Sequence, residues 1–246
     1  MFIDNQTNKM SLRPGFLRTA VITLLIIKFI LLCYIFAPRF SSYVLAANLP
    51  NKNTVQLVLP EVYSLDVPFV TQAPTANWDR YHLETCEEAA VLMVSLFHDH
   101  VTEVSAPAIE REFKVMTDTE TEMFGYYENT TLAEVQQFAE KVYGFTDSRM
   151  LENPSDEDLK REIFAGRPVI IPANGQKLKN PHFNGNGSTY HVIVITGWDA
   201  QGFITNDSGT RYGKNYRYSY ETISGAMGDW DGSSGSGSKR ALVLSF

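Results

Sequence analysis

Apolar residues recur along this chain in three patterns, and each predicts a different element. Positions 19–37 are almost continuously apolar, interrupted by Lys28, a run of about 19 residues against the roughly 20 that a bilayer-crossing helix needs. Farther on, Ala89, Leu92, Met93, Leu96 and Phe97 recur at helical spacing and predict a helix over 86–98. Thr85 at its N-cap and Glu88 three residues later read as a capping box. Further helices are expected over 106–113, over 131–143 (capped by Thr130 or Thr131, stopped by Gly144) and over 155–165 (Ser155 and Asp158 as capping box, Gly166 as stop). From Pro168 the pattern changes to alternating or continuous β-branched runs at 169–171, 191–196, 203–205 and 242–244. These predict strands of an antiparallel sheet joined by Gly-rich turns. Helices first and sheet later make an α+β arrangement.

Composition and charge then divide the chain. At 246 residues it has room for one sizeable core. Residues 1–45 hold Lys9, Arg13, Arg18, Lys28 and Arg39 against Asp4 alone, so they carry +4 and leave −11 on the rest of a chain whose net charge is −7. Positive residues ahead of the apolar run place 1–18 in the cytoplasm and everything after Pro38 outside. The expectation is a single-pass membrane protein with 19–37 as signal anchor, or a secreted one if this segment is a signal peptide cut near Val44-Leu45-Ala46. Residues 38–64, broken by serine, asparagine and proline, read as a tether, and 65–246 as the folded domain. Residues 232–238, rich in Gly and Ser, read as a flexible surface loop. So acidic a body argues against nucleic acid as a partner and fits neutral or basic peptides better.

Candidate chemistry centres on one thiol. The only cysteines are Cys33, inside the apolar run, and Cys86, so the exported part forms no internal disulfide. Cys86 falls in the first turn of its predicted helix, where unpaired N–H groups and the helix dipole lower a thiol's pKa and offer donors to an oxyanion. His191 opens an apolar strand after the loop 180–189, and Asp207 lies sixteen residues later at the end of the next strand. Hairpin-joined strands bring their equivalent ends together, so Asp207 can orient the His191 ring, with Asn206 as the alternative partner. Taken singly, each has a structural alternative: Cys86 as small apolar packing, His191 as a satisfied core residue, Asp207 as a turn aspartate. Together they supply nucleophile, base and orienter in the order a cysteine hydrolase requires. Trp78, Tyr81, Tyr190 and Trp198 either line a cleft or pack the core. Glu87 and Glu88 either favour basic substrate side chains or form a solvated helix face. His98, His100 and His182 lack partners at ligand spacing, so neither metal nor cofactor is expected.

Five segments carry a resemblance. Leu65-Asp66-Val67-Pro68-Phe69-Val70-Thr71-Gln72, Thr85-Cys86-Glu87-Glu88-Ala89-Ala90, Ala165-Gly166-Arg167-Pro168-Val169-Ile170, residues 191–197 and Phe203-Ile204-Thr205-Asn206-Asp207-Ser208 occur in this order. They resemble the motifs of the bacteriocin-processing double-glycine leader peptidases, cysteine-peptidase family thirty-nine, and of their stand-alone relatives. The resemblance implies a papain-like fold in which a helical half carrying the cysteine packs on an antiparallel sheet carrying the histidine and aspartate. It also implies a thiol protease with a Cys86, His191 and Asp207 triad, Gln72 in the oxyanion hole, and a peptide or protein substrate. A catalytically silent peptide-binding module, or an acyltransferase or amidase with the same triad, are the other activities this pattern allows.

Overall fold

The computed structural model describes residues 58–246. The expected cytoplasmic segment, the apolar run with Cys33 and the part of the expected tether before residue 58 lie outside these residues. Among the described residues no helix is long and apolar enough to cross a membrane.

The β-branched runs pair into a seven-stranded antiparallel sheet. Its strands are β1 (Tyr63–Ser64), β2 (Arg149–Glu152), β3 (Val169–Ala173), β4 (His191–Asp199), β5 (Gly202–Asn206), β6 (Tyr216–Tyr218) and β7 (Arg240–Val243). The order is β2-β7-β3-β4-β5-β6, with β1 pairing the far end of β4. The end of the expected tether is therefore part of the sheet: Ser64 pairs Gly197, and the Trp198 indole donates to the Pro60 carbonyl at 3.1 Å. Any side chain on Gly197 would run into the Tyr63 backbone, so the close crossing of β1 over β4 requires glycine there.

Both faces of the sheet are apolar, which is why its central strands read as continuous hydrophobic runs. Val192 and Val194 of β4, Ile170 of β3 and Leu242 of β7 face one core. Their neighbours Ile193, Ile195, Val169, Ile171 and Val243 face a second. The first core is covered by α1 (Cys86–His98), α2 (Ala106–Phe124) and α3 (Leu132–Tyr143). Over the second lie α4 (Asp156–Phe164), the short α5 (Gly175–Leu178) and α6 (Tyr220–Ala226). The helical half carrying Cys86 thus packs on a sheet that bears His191, with Asp207 at the end of β5, as expected, and a further helical layer backs the other face.

The capping chemistry read from sequence holds for α3 and α4. Thr131 with Glu134, and Ser155 with Asp158, form reciprocal capping boxes, and Gly144 ends α3 in the left-handed region. For α1 it fails. Thr85 makes no capping bond; its hydroxyl donates to the carbonyls of Gln72 at 3.1 Å and His82 at 3.3 Å, and Glu88 is fully buried. Residues 86–96 are all buried, because α1 lies between the sheet on one side and α2 and α3 on the other, so no face remains for a solvated carboxylate.

Helix α2 runs eleven residues past its expected end at 113. Its buried positions Ile109, Phe113, Met116, Thr117 and Glu120 do keep helical spacing, but the last two are polar and hid the stripe. The Gly/Ser segment 232–238 is irregular and mostly exposed, as expected of a surface loop, but it is anchored at Gly235. Its Gly235 N–H donates to Thr189 O at 2.8 Å, and a Cβ there would meet the Ala173 carbonyl at 2.7 Å. Small residues here permit close packing of backbone on backbone.

Glu88 of α1 meets Glu120 of α2 inside the first core. Burial, followed by the neighbouring charge, pushes Glu88 well above the usual carboxylate range. Glu120 is pushed up to about 8, chiefly by burial, while it accepts from the Thr130 hydroxyl at 3.2 Å. Glu88 and Glu120 are therefore two buried carboxyls in one site, and in the folded state Glu120 keeps its proton up to about pH 8. The folded state holds that proton more tightly than the unfolded chain, so its contribution to stability falls as pH rises from about 4.5 towards 8. Replacing Glu120→Gln keeps the acceptor and removes the titration. The variant should lose much of this slope and gain stability on the order of a few kcal/mol at pH 8. Thermal melts from pH 5 to pH 9 check this, and parallel curves for variant and wild type would refute the raised Glu120.

Candidate active site

Cys86 starts α1, as the sequence predicts, but its thiol environment is not that of an exposed helix terminus. The side chain is 5% exposed, and its sulfur donates to Glu87 Oε2 at 2.9 Å. Burial first, and then the Glu87 carboxyl, push the thiol well above its ordinary range, while a backbone hydrogen bond at Val192 opposes them. The expected lowering by the helix terminus is thus outweighed, and Cys86 rests as the thiol. No hydrogen bond among the described residues joins it to His191. The sulfur instead lies against Val192, the next residue along β4.

His191 and Asp207 do meet. His191 Nε2 and Asp207 Oδ1 are 2.8 Å apart, and both side chains are almost wholly buried. The same carboxylate oxygen accepts from the Gly209 N–H at 3.0 Å. The other accepts from Asn180 Nδ2 at 3.1 Å and from the Tyr218 hydroxyl. Burial alone would raise Asp207. The charge of His191 and these donors outweigh it and hold the carboxyl below its usual range. With Asp207 ionised, Nε2 is the ring nitrogen whose N–H faces the carboxylate, and Nδ1 is turned away from it. Asn206, the alternative orienter, is committed elsewhere, donating to the carbonyls of Val67 at 3.0 Å and Pro68 at 3.3 Å.

Gln72 is separated from Cys86 by thirteen residues of sequence but not by distance in space. Residues 73–84 loop out through a 3-10 turn (His82–Glu84) and return, so that Thr85 donates to the Gln72 carbonyl. The Gln72 amide donates to His82 O at 2.8 Å and its N–H to Ser208 O at 3.1 Å. The glutamine therefore ties the approach to α1 to the segment that follows β5. One amide N–H remains uncommitted to His82.

Gln72 and His191 line one cavity of about 670 Å³. Trp78, Leu83, Phe183 and Tyr212 supply its apolar wall, and Phe183 meets the His191 ring edge-on at 5.4 Å. Of the four aromatics singled out from sequence, Trp78 faces this cleft. Tyr190 and Trp198 are buried in the two cores, and Tyr81 packs at the margin of the first. Glu87 and Glu88, considered as selectors for basic substrates, are buried behind the cleft and do not line it. Among the described residues no three His, Cys, Asp or Glu side chains converge to hold a metal ion.

Sequence reasoning missed the residues that serve Asp207. Tyr218 lies in a three-residue strand and Asn180 in an irregular loop, so neither carries a periodic or spacing signal. Gly213 is equally silent in sequence; a Cβ there would collide with the Asp207 carbonyl.

No curated protein matches the chain. Among solved structures, one similar to it is the crystal structure of a candidate C39-like peptidase from Bacillus anthracis, at 16% identity and a TM-score of 0.45, covering 76% of this chain and 98% of that one. The model of the Peptidase_C39 like family matches residues 64–237, well over half of the chain. The chain therefore belongs to the Peptidase_C39 like family.

Proposed function

We propose that this chain is a cysteine peptidase that cleaves peptide bonds through an acyl-enzyme on Cys86. The observation that carries the reading is the buried His191–Asp207 pair on the wall of a cleft, with the Cys86 sulfur against the next residue of the same strand. Cys86 does not itself line the cavity, and the reaction requires its thiol to leave Glu87 and turn towards the cleft. His191 Nδ1 then takes its proton as sulfur attacks the substrate carbonyl. The oxyanion draws on N–H groups at the start of α1 and on the free amide hydrogen of Gln72. The tetrahedral adduct collapses, His191 returns the proton to the departing amine, and water releases the acid by the same route. Asp207 keeps the ring in the accepting tautomer and stabilises it when charged.

The bond from Cys86 to Glu87 favours a second reading, a peptide-binding module whose thiol stays idle. Alkylation separates the two. In the full chain iodoacetamide should modify Cys86 at neutral pH, mapped by mass spectrometry with Cys33 as internal reference, and Cys86→Ala should abolish peptide cleavage. An unreactive Cys86 would leave the binding module. Asp207→Asn, which removes the charge that supports a protonated ring, should lower kcat by roughly 10²–10⁴-fold with little change in KM. A change confined to KM would sink the orienting role.

The positively charged start and apolar run before the domain support an extracytoplasmic location. Protease added to intact cells that express the chain should digest the domain; full protection there would place it inside.

A further inference from the structure

The cleft beside His191 differs in charge from the body around it. The residues after 45 carry −11, yet no aspartate or glutamate lines the cavity. Its one permanent charge is Arg211, on the segment between β5 and β6. Among the described residues Arg211 forms no ion pair with a carboxylate.

Its guanidinium is nevertheless held in place. It lies 4.7 Å over the Tyr212 ring and donates to the Tyr212 hydroxyl, and the Tyr212 ring in turn packs against the His182 ring with centroids 4.7 Å apart. The segment is closed at its base: Asp207 N–H donates to Gly213 O at 3.0 Å, and Gly213 N–H to Thr210 O at 3.2 Å. The arginine is therefore anchored to the same residue that orients His191. Across the cleft Trp78 and Leu83 are 41% and 55% exposed, and Tyr212 is 52% exposed. Apolar and aromatic side chains lining a cavity with a few polar groups are the usual make-up of a binding site.

We infer that the cleft selects peptides in which a large apolar residue, aromatic above all, adjoins an acidic one. The apolar side chain would pack against Trp78, Leu83 and Phe183, and the carboxylate would pair with Arg211. This rests on the reading that the His191 cleft is where peptide binds. It reverses the preference for basic substrates that overall charge suggests. The field of the acidic body is screened over about 8 Å at physiological ionic strength, whereas a contact pair in a partly desolvated cleft is screened much less.

Binding can be read without turnover. The full-length chain carrying Cys86→Ala is titrated by fluorescence anisotropy with three labelled decapeptides of one scaffold, whose central pair is Glu-Phe, Lys-Phe or Glu-Ala. Glu-Phe should bind most tightly, Lys-Phe about 5- to 10-fold more weakly, and Glu-Ala at least about 10-fold more weakly. Adding Arg211→Glu should invert the Glu/Lys preference and leave the Phe/Ala preference in place, a split that mere loss of fold would not produce. Raising salt from 0.05 to 0.5 M should narrow the Glu/Lys ratio. Equal or tighter binding of Lys-Phe, a ratio indifferent to Arg211→Glu, or no binding of any of the three overturns the inference. Absence of hydrolysis by wild type with the binding order intact would instead overturn the peptidase reading alone.

Discussion

The carboxylate of Asp207 is the group on which the rest of this site depends. A charge taken wholly out of water is tolerated only if its lone pairs are filled, and here four donors fill them. They come from the start of β4, from the loop at Asn180, from the turn at Gly209 and from β6. No two of them are neighbours in sequence. Satisfying one carboxylate therefore fixes four segments relative to one another, and with them the His191 ring, the floor of the cleft and the base of the segment that bears Arg211.

A contrasting arrangement lies behind the candidate nucleophile. Glu87, Glu88 and Glu120 are buried without a cation, and several of their oxygens have no partner. Asp207 is held ionised by what surrounds it, whereas these groups are held neutral, because burial without donors disfavours the charge. Two sets of carboxyls on the same scaffold are thus separated in ionisation by environment. The first holds the His191 ring; beside the second, burial above all keeps the Cys86 thiol protonated at rest.

Part of this was legible in the residues alone, wherever the deciding interaction is local. The capping boxes of α3 and α4 and the glycine that ends α3 involve residues three or four apart, so spacing reveals them. The strands β3, β4, β5 and β7 announce themselves as β-branched runs, and the hairpin geometry of β4 and β5 brings Asp207 to His191. Cys86 at the start of a helix follows from the same local patterning. The far half of α2 was obscured because two of its buried positions are Thr117 and Glu120, polar residues whose partners come from other elements.

The residues alone thus reveal α1, α3, α4, the first half of α2, the strands β3, β4, β5 and β7, the α+β class and the three residues proposed to carry the chemistry, whereas the short β1, β2, β6, α5 and α6 carry no such signal. Tertiary structure alone decided their environments. Whether Glu88 caps a helix or sits neutral in a core depends on α2 lying across α1, and whether Gln72 is remote from Cys86 or adjacent depends on how residues 73–84 fold back. The charge of the cleft, opposite to that of the chain, is likewise a matter of which side chains the fold turns towards it. Burial and ionisation are properties of position in space, summed over neighbours distant in the chain, and no periodicity of the chain records them.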